Sequence, residues 1–181
     1  MKKFIREFFS ILGVAFILAF VLRSFVIEGR IIPSGSMLPT IQLQDRVMVN
    51  KFIYRFTDPE RGDIIVFDPP ITSDLDYIKR VIGLPGEVIE IRDHKVWVNG
   101  ESLNEPYLQE EIDYEFGPVE VPTGSYLVLG DNRNHSYDSH LWTVWMDAQE
   151  IKGKAVAIYW PISHITWLER GVTVEHENIA Y

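Results

Sequence analysis

The chain has 181 residues, a formal charge of −9 and no cysteine. That length supports one domain, or one domain with a subdomain. The acidic balance argues against a phosphate-binding face, and so against a nucleic-acid partner. The lack of cysteine rules out disulfides, a thiolate nucleophile and a Cys-bearing zinc site.

In chain order, the first element is an uncharged run from Phe8 to Leu22, preceded by Lys2, Lys3 and Arg6. As a helix it measures about 22 Å, short of the roughly 30 Å hydrocarbon core of a bilayer. Ser24 to Ile27 extend it, provided that Arg23 snorkels to the headgroups. A cleaved secretory signal needs a small-x-small site close behind, whereas Arg23, Glu28 and Arg30 separate Ser34-Gly35-Ser36 from the run. A buried core helix would be an alternative, but the run is apolar all round. The reading is therefore a single uncleaved transmembrane anchor over residues 1–27. The basic residues keep its N-terminus cytoplasmic and place residues 28–181 on the extracytoplasmic face.

Next comes Ile32-Pro33-Ser34-Gly35-Ser36-Met37-Leu38-Pro39-Thr40. Prolines fix φ and remove donors, and glycine permits close approach, so this is a rigid exposed loop. Ser-Gly-Ser between prolines is ordinarily a turn; a serine held there is also a candidate nucleophile.

Beyond the loop the apolar period becomes two. Arg46–Phe52, Gly62–Asp68, Asp76–Ile82, Glu87–Arg92 and Lys95–Val98 read as strands, with further strands at Ser125–Leu129 and Gly153–Trp160. Asp93-His94 is a tight hairpin turn, and Asn99-Gly100 is a type I′ turn that starts another strand. Between Glu101 and Glu120 stand seven Asp or Glu and no Lys or Arg, which reads as a solvated, loosely ordered insertion within about 93–121.

Within Asp76–Ile82, period two puts Tyr77, Lys79 and Val81 on one face and Ile78, Arg80 and Ile82 on the other. A lone lysine in such a strand packs its stem, snorkels, and pairs with Asp74 or Asp76. Beside Ser36 it has another use: desolvation lowers an ammonium pKa, and the neutral amine can take a hydroxyl proton. Other hydrolase patterns fail. There is no Gly-x-Ser-x-Gly elbow, and no serine has a lysine three residues on. His176-Glu177-Asn178-Ile179-Ala180 lacks the second histidine of a zinc-protease helix. His94, His135, His140, His164 and His176 show no metal-ligand spacing, so neither metal nor cofactor is expected.

Ile32–Thr40, Tyr77–Gly86 and Gly130–Ser139, in this order and spacing, resemble the type I signal peptidases, which are membrane-anchored serine-lysine proteases. The resemblance runs from about Phe25 to Pro161. It implies a mostly β fold of two intertwined antiparallel sheets: a transmembrane helix, then an ectodomain with a catalytic core and a smaller inserted β region. It implies Ser36 as nucleophile, Lys79 as base, and the Ser34 hydroxyl with the Ser36 amide as oxyanion donors. Ser136 matches the serine that hydrogen-bonds the lysine, and Arg80 with Asp131 a bracing ion pair. Asp138 matches a second acidic position, whose usual arginine partner is His140 here. Ile32, Met37, Tyr77 and Ile78 are expected to shape shallow apolar pockets for small side chains one and three residues before the cut. The implied partners are signal peptides of exported preproteins and the lipid bilayer. Ser36 lies nine residues beyond Ile27, at most about 30 Å away, so the site works close to the membrane.

Two departures stand out. Glu87 replaces the usual aspartate after Leu-Pro-Gly, and Leu141–Met146 replaces Trp-Gly-Phe-Val-Pro, so its aromatics are either core or membrane interface. A self-cleaving SOS repressor shares a serine-lysine pair, but it is soluble and carries a DNA-binding domain. A tethered binding domain would use the three motifs only as turns.

Overall fold

The computed structural model describes residues 2–21, 26–73 and 75–175. Helix α1 (Lys2–Val21) is followed by strands β1 (Ile27–Ile31), β2 (Arg46–Asn50), β3 (Ile64–Phe67), β4 (Tyr77–Gly83), β5 (Val88–Arg92), β6 (Lys95–Val98), β7 (Glu101–Asn104), β8 (Phe116–Glu120), β9 (Ser125–Leu129), β10 (Met146–Asp147), β11 (Ile151–Trp160), β12 (Thr166–Trp167) and β13 (Thr173–Glu175). One sheet of eight strands runs β1-β2-β11-β3-β4-β9-β10, with β12 on β11; a second of five runs β13-β7-β6-β5-β8. Every pairing is antiparallel.

Period two explains the cores. β3 is buried on both faces, because Ile64 and Val66 enter one apolar cluster with Ile32, Met37 and Ile78 while Ile65 and Phe67 enter another with Val81, Val128 and Trp142. The second sheet closes on its own cluster: Ile89 and Ile91 of β5 pair with Val98 and Val96 of β6 and bury with Leu103, Val121 and Leu127. Asp93 and His94 (φ 51° and 64°) and Asn99 and Gly100 (φ 52° and 86°) turn through the left-handed region that such hairpins require.

The span expected across a bilayer is not found: among the described residues no helix is long and apolar enough to cross a membrane. One reason is where the charges fall. Lys2, Lys3, Arg6 and Glu7 occupy the first turns of α1, and the uncharged stretch among its described residues, Phe8–Val21, is about 21 Å long. Ile27, expected to extend it, instead opens β1 opposite Asn50. Arg23 and Ser24 lie outside the described residues, as do Asp74 and His176–Ala180.

The acidic insertion is also more ordered than expected. β8 forms inside it, and Gly117-Pro118 hid its period; proline is tolerated because β8 is an edge strand. Ile112 is buried in the second core and Glu105 is buried in an ion pair. In the divergent segment Trp142 and Met146 are core residues, with Trp142 edge-on to Phe67.

Candidate active site

Ser36 sits on the loop after β1. Backbone bonds from Ile32 N–H to the Asp45 carbonyl and from Gln44 N–H to the Ile32 carbonyl hold the start of that loop. Its far side is clamped by Asn132, whose backbone N–H donates to the Ser36 carbonyl at 3.0 Å and whose Nδ2 donates to the Gly35 carbonyl at 3.0 Å. Asn132 carried no signal of its own in the sequence, because its partners lie about a hundred residues away.

Lys79 reaches this loop from β4. Its Nζ lies 2.6 Å from Ser36 Oγ and donates to the Ile78 carbonyl at 3.1 Å. The lysine is 3% exposed. Burial lowers its pKa to about 8, against the charges of Asp138 and Asp131, which raise it. It is not paired with Asp76, which binds Arg30 and Lys152 instead. An amine so near neutrality can accept the proton of a hydroxyl at this distance.

Ser34 is exposed, with its Oγ 3.4 Å from Ser36 Oγ. Ser136 is buried beside the pair, but its hydroxyl has no hydrogen-bond partner, so the bond to lysine that the resemblance implies is not formed. A side chain on Gly130 would collide with Ser136 Oγ and the Ser36 carbonyl, so only glycine fits there.

A cavity of about 480 Å³ opens in front of Ser36, walled by Pro33, Ser34, Leu75, Asp76, Tyr77, Ile78, Asn132, His135 and Tyr137. Tyr77 and Ile78 thus lie where expected. Ile32 and Met37 do not line it. They are 2% and 0% exposed, packed in the core cluster that also takes Ile78.

Buried charges brace the site. Arg80, on the other face of β4 from Lys79, meets Asp131 through Nε (2.8 Å) and Nη2 (2.6 Å) and donates Nη1 to the Gly62 and Glu169 carbonyls. Burial opposes the Arg80 charge, but the hydrogen bonds and charge of Asp131 outweigh it and hold the guanidinium above its usual range. Thr40, unremarked in the sequence, donates to the same carboxylate. Asp138 accepts from Gly130 N–H at 2.8 Å and faces His140 Nδ1 at 2.7 Å. Arg133 pairs with Glu105 of the insertion and donates Nε to the Gly130 carbonyl.

Residues 5–160 match the model of the family described as signal peptidase, peptidase S26. The chain is 46% identical over 169 residues to signal peptidase I of Leptolyngbya laminosa, covering 89% of this chain and 82% of that protein. It is 46% identical over 156 residues to the probable signal peptidase I-2 of Synechocystis sp., covering 83% and 71% respectively. A solved signal peptidase I of Enterococcus faecalis V583 aligns with 54% of this chain and 97% of its own length, at 35% identity and a TM-score of 0.49. With a family model spanning most of its length and relatives this similar, the chain belongs to the signal peptidase family, peptidase S26, and is a serine protease of the signal peptidase I type.

Proposed function

We propose that the protein is a membrane-bound endopeptidase that removes N-terminal signal peptides from exported preproteins, with Ser36 and Lys79 as its catalytic dyad. The observation that carries this reading is the Lys79 amine, buried and 2.6 Å from Ser36 Oγ at the edge of an open cavity. In the neutral state the contact runs from the Ser36 O–H to Nζ. Ser36 Oγ attacks the scissile carbonyl while its proton passes to Lys79, and the carbonyl becomes an oxyanion met by the Ser34 hydroxyl and the Ser36 amide. Lys79 then gives that proton to the leaving amine as the C–N bond breaks. Water, deprotonated by the same amine, hydrolyses the acyl-enzyme and returns Ser36 to its hydroxyl form. Tyr77 and Ile78 offer shallow apolar walls, which favour small side chains next to the cut.

Membrane association is supported by two surfaces. α1 exposes Phe4, Phe9, Ile11, Val14, Phe16 and Ile17 around its circumference and has Lys2, Lys3 and Arg6 at its start, which favours a cytoplasmic N-terminus and an extracytoplasmic catalytic domain. At the end of β11, Trp160, Ile162, Ile165 and Trp167 are exposed together, and Trp160 lies level with Arg46 and Ile31, just before the Ser36 loop. In this reading residues 1–27, up to the start of β1, supply the membrane-associating end, and residues 28–181 form the peptidase domain.

The test is incubation of the detergent-solubilised protein with a preprotein, the cut being located by mass spectrometry. Cleavage behind a small residue is expected, and Ser36→Ala and Lys79→Ala should each abolish it, with the double variant barely worse than either. Near-normal turnover by Lys79→Ala would overturn the dyad.

A further inference from the structure

The Asp138–His140 contact ties the candidate dyad to the inserted segment. His140 is stacked on Tyr114 of that segment, with ring centroids 4.1 Å apart and planes 12° from parallel. Its Nδ1 is placed to donate to Asp138 Oδ1 at 2.7 Å, and the Asp138 side chain is wholly buried. The other oxygen, Oδ2, accepts the Gly130 N–H at 2.8 Å. Gly130 sits against both Ser136 and Ser36: a Cβ built on it would overlap Ser136 Oγ and the carbonyl oxygen of Ser36 itself. A shift of Asp138 therefore reaches the backbone of Ser36 through one tightly packed residue. Asp138 also bears on the other half of the dyad, since its charge acts on Lys79 together with that of Asp131.

We propose that His140 is a positioning residue: seated on Tyr114, it fixes the Asp138 carboxylate, and through it the Gly130 amide and the alignment of Ser36 with Lys79. The proposal rests on the reading of Ser36 and Lys79 as the dyad. A carboxylate buried this deeply needs its lone pairs satisfied, and the histidine N–H satisfies Oδ1 without a permanent positive charge. An arginine, always charged, would form the pair and add a fixed positive charge beside Asp138. Other charges reach the same spot: Tyr114 senses Asp138, Arg133 with its partner Glu105, and Asp113. The insertion thus contributes the seat on which His140 rests, and the ring of Tyr114 does this, not its hydroxyl, which has no partner.

The test is steady-state cleavage of a preprotein by full-length His140→Ala, His140→Arg, Tyr114→Ala and Tyr114→Phe, each across pH, with denaturant unfolding measured in parallel. A small misplacement at a reacting centre costs up to about a hundredfold. His140→Ala should therefore lose about tenfold or more in kcat with KM within about twofold. Tyr114→Ala should show the same split, and Tyr114→Phe should match the parent. His140→Arg should recover most of the lost kcat, with the alkaline-going rise of its profile displaced to lower pH by the added positive charge. A His140→Ala variant with parental kcat, or one that is only less stable, overturns the proposal. So does Tyr114→Ala with full kcat, which also decides the matter should His140→Ala fail to fold. Lys79→Ala separates the two readings. If it is inactive while His140→Ala is parental, only the positioning role falls; if it is active, the dyad itself has failed and the positioning role falls with it.

Discussion

Both sheets bury apolar clusters, but they differ in how much charge they bury with them. The five-stranded sheet closes on an apolar cluster of Ile89, Ile91, Val96, Val98 and Leu103, and its Arg92–Glu90 and Arg92–Asp93 pairs stay at the surface. The eight-stranded sheet, with the loops on it, buries Lys79, Arg80, Asp131, Arg133 and Asp138. Burying apolar surface stabilises directly, whereas burying charge costs solvation that only good geometry returns. The second sheet is thus a support. The first trades stability for a lysine held near neutrality, and surrounds it with ion pairs that keep the remaining buried charges satisfied.

Removing the lysine charge tests this contrast most sharply. Lys79→Met should lower cleavage by on the order of 10⁴-fold or more, as loss of a base does in a dyad. It should also stabilise the fold. The folded pKa of Lys79 lies below the unfolded value, about 8 against 10.5. The unfolded chain therefore binds the proton that the folded chain lacks between these values, and stability rises with pH across that window. Below pH 8 the full cost is present, about 3 kcal/mol. Urea unfolding from about pH 7 to 9.5, below the range where unfolded tyrosines ionise, should show this climb in the parent and none in Lys79→Met. In activity the sign is the same: kcat/KM should rise with pH through about 8 as the amine becomes neutral. A rising limb near 6.5, the reference value for histidine, would transfer the base to an imidazole.

Breaking a brace should cost nearly as much. Arg80→Met strands the Asp131 carboxylate, 0% exposed, and should destabilise by about 3–5 kcal/mol. Arg80→Met with Asp131→Leu should recover much of this, and equal destabilisation in both variants would contradict the account of a stranded charge.

Ser34→Ala should reduce kcat about a hundredfold with KM little changed, because its hydroxyl would meet charge that appears only in the transition state. An unchanged kcat would return Ser34 to a turn role.

In the second sheet, Ile91→Val should cost only about 1 kcal/mol in chemical denaturation, with cleavage unaffected. Smallest of all, Arg92→Ala should leave the unfolding midpoint where it is, since its partners are solvated. A large loss of activity from either would show that the second sheet does more than support.

The sequence by itself determined the features that depend on neighbours along the chain. Alternation from Arg46, Gly62, Asp76 and Glu87 onward marked β2 to β5; left-handed Asn99-Gly100 closed a hairpin; and the prolines and glycine around Ser36 made a loop. The resemblance carried by three short motifs pointed to Ser36 and Lys79, which the fold brings within 2.6 Å. Tertiary structure decided whatever depends on a partner far away. Glu105 looked like one acid in a solvated run, yet it is buried because Arg133 comes to meet it. Ile32 and Met37 looked like pocket walls, yet the first core cluster takes them. Trp142 could have faced lipid or core, and the aromatic cluster of Phe67 and Tyr77 settled it. A local pattern fixes which way a side chain alternates, but burial and pairing are set by the strand or loop that arrives opposite, and that depends on how the whole chain closes.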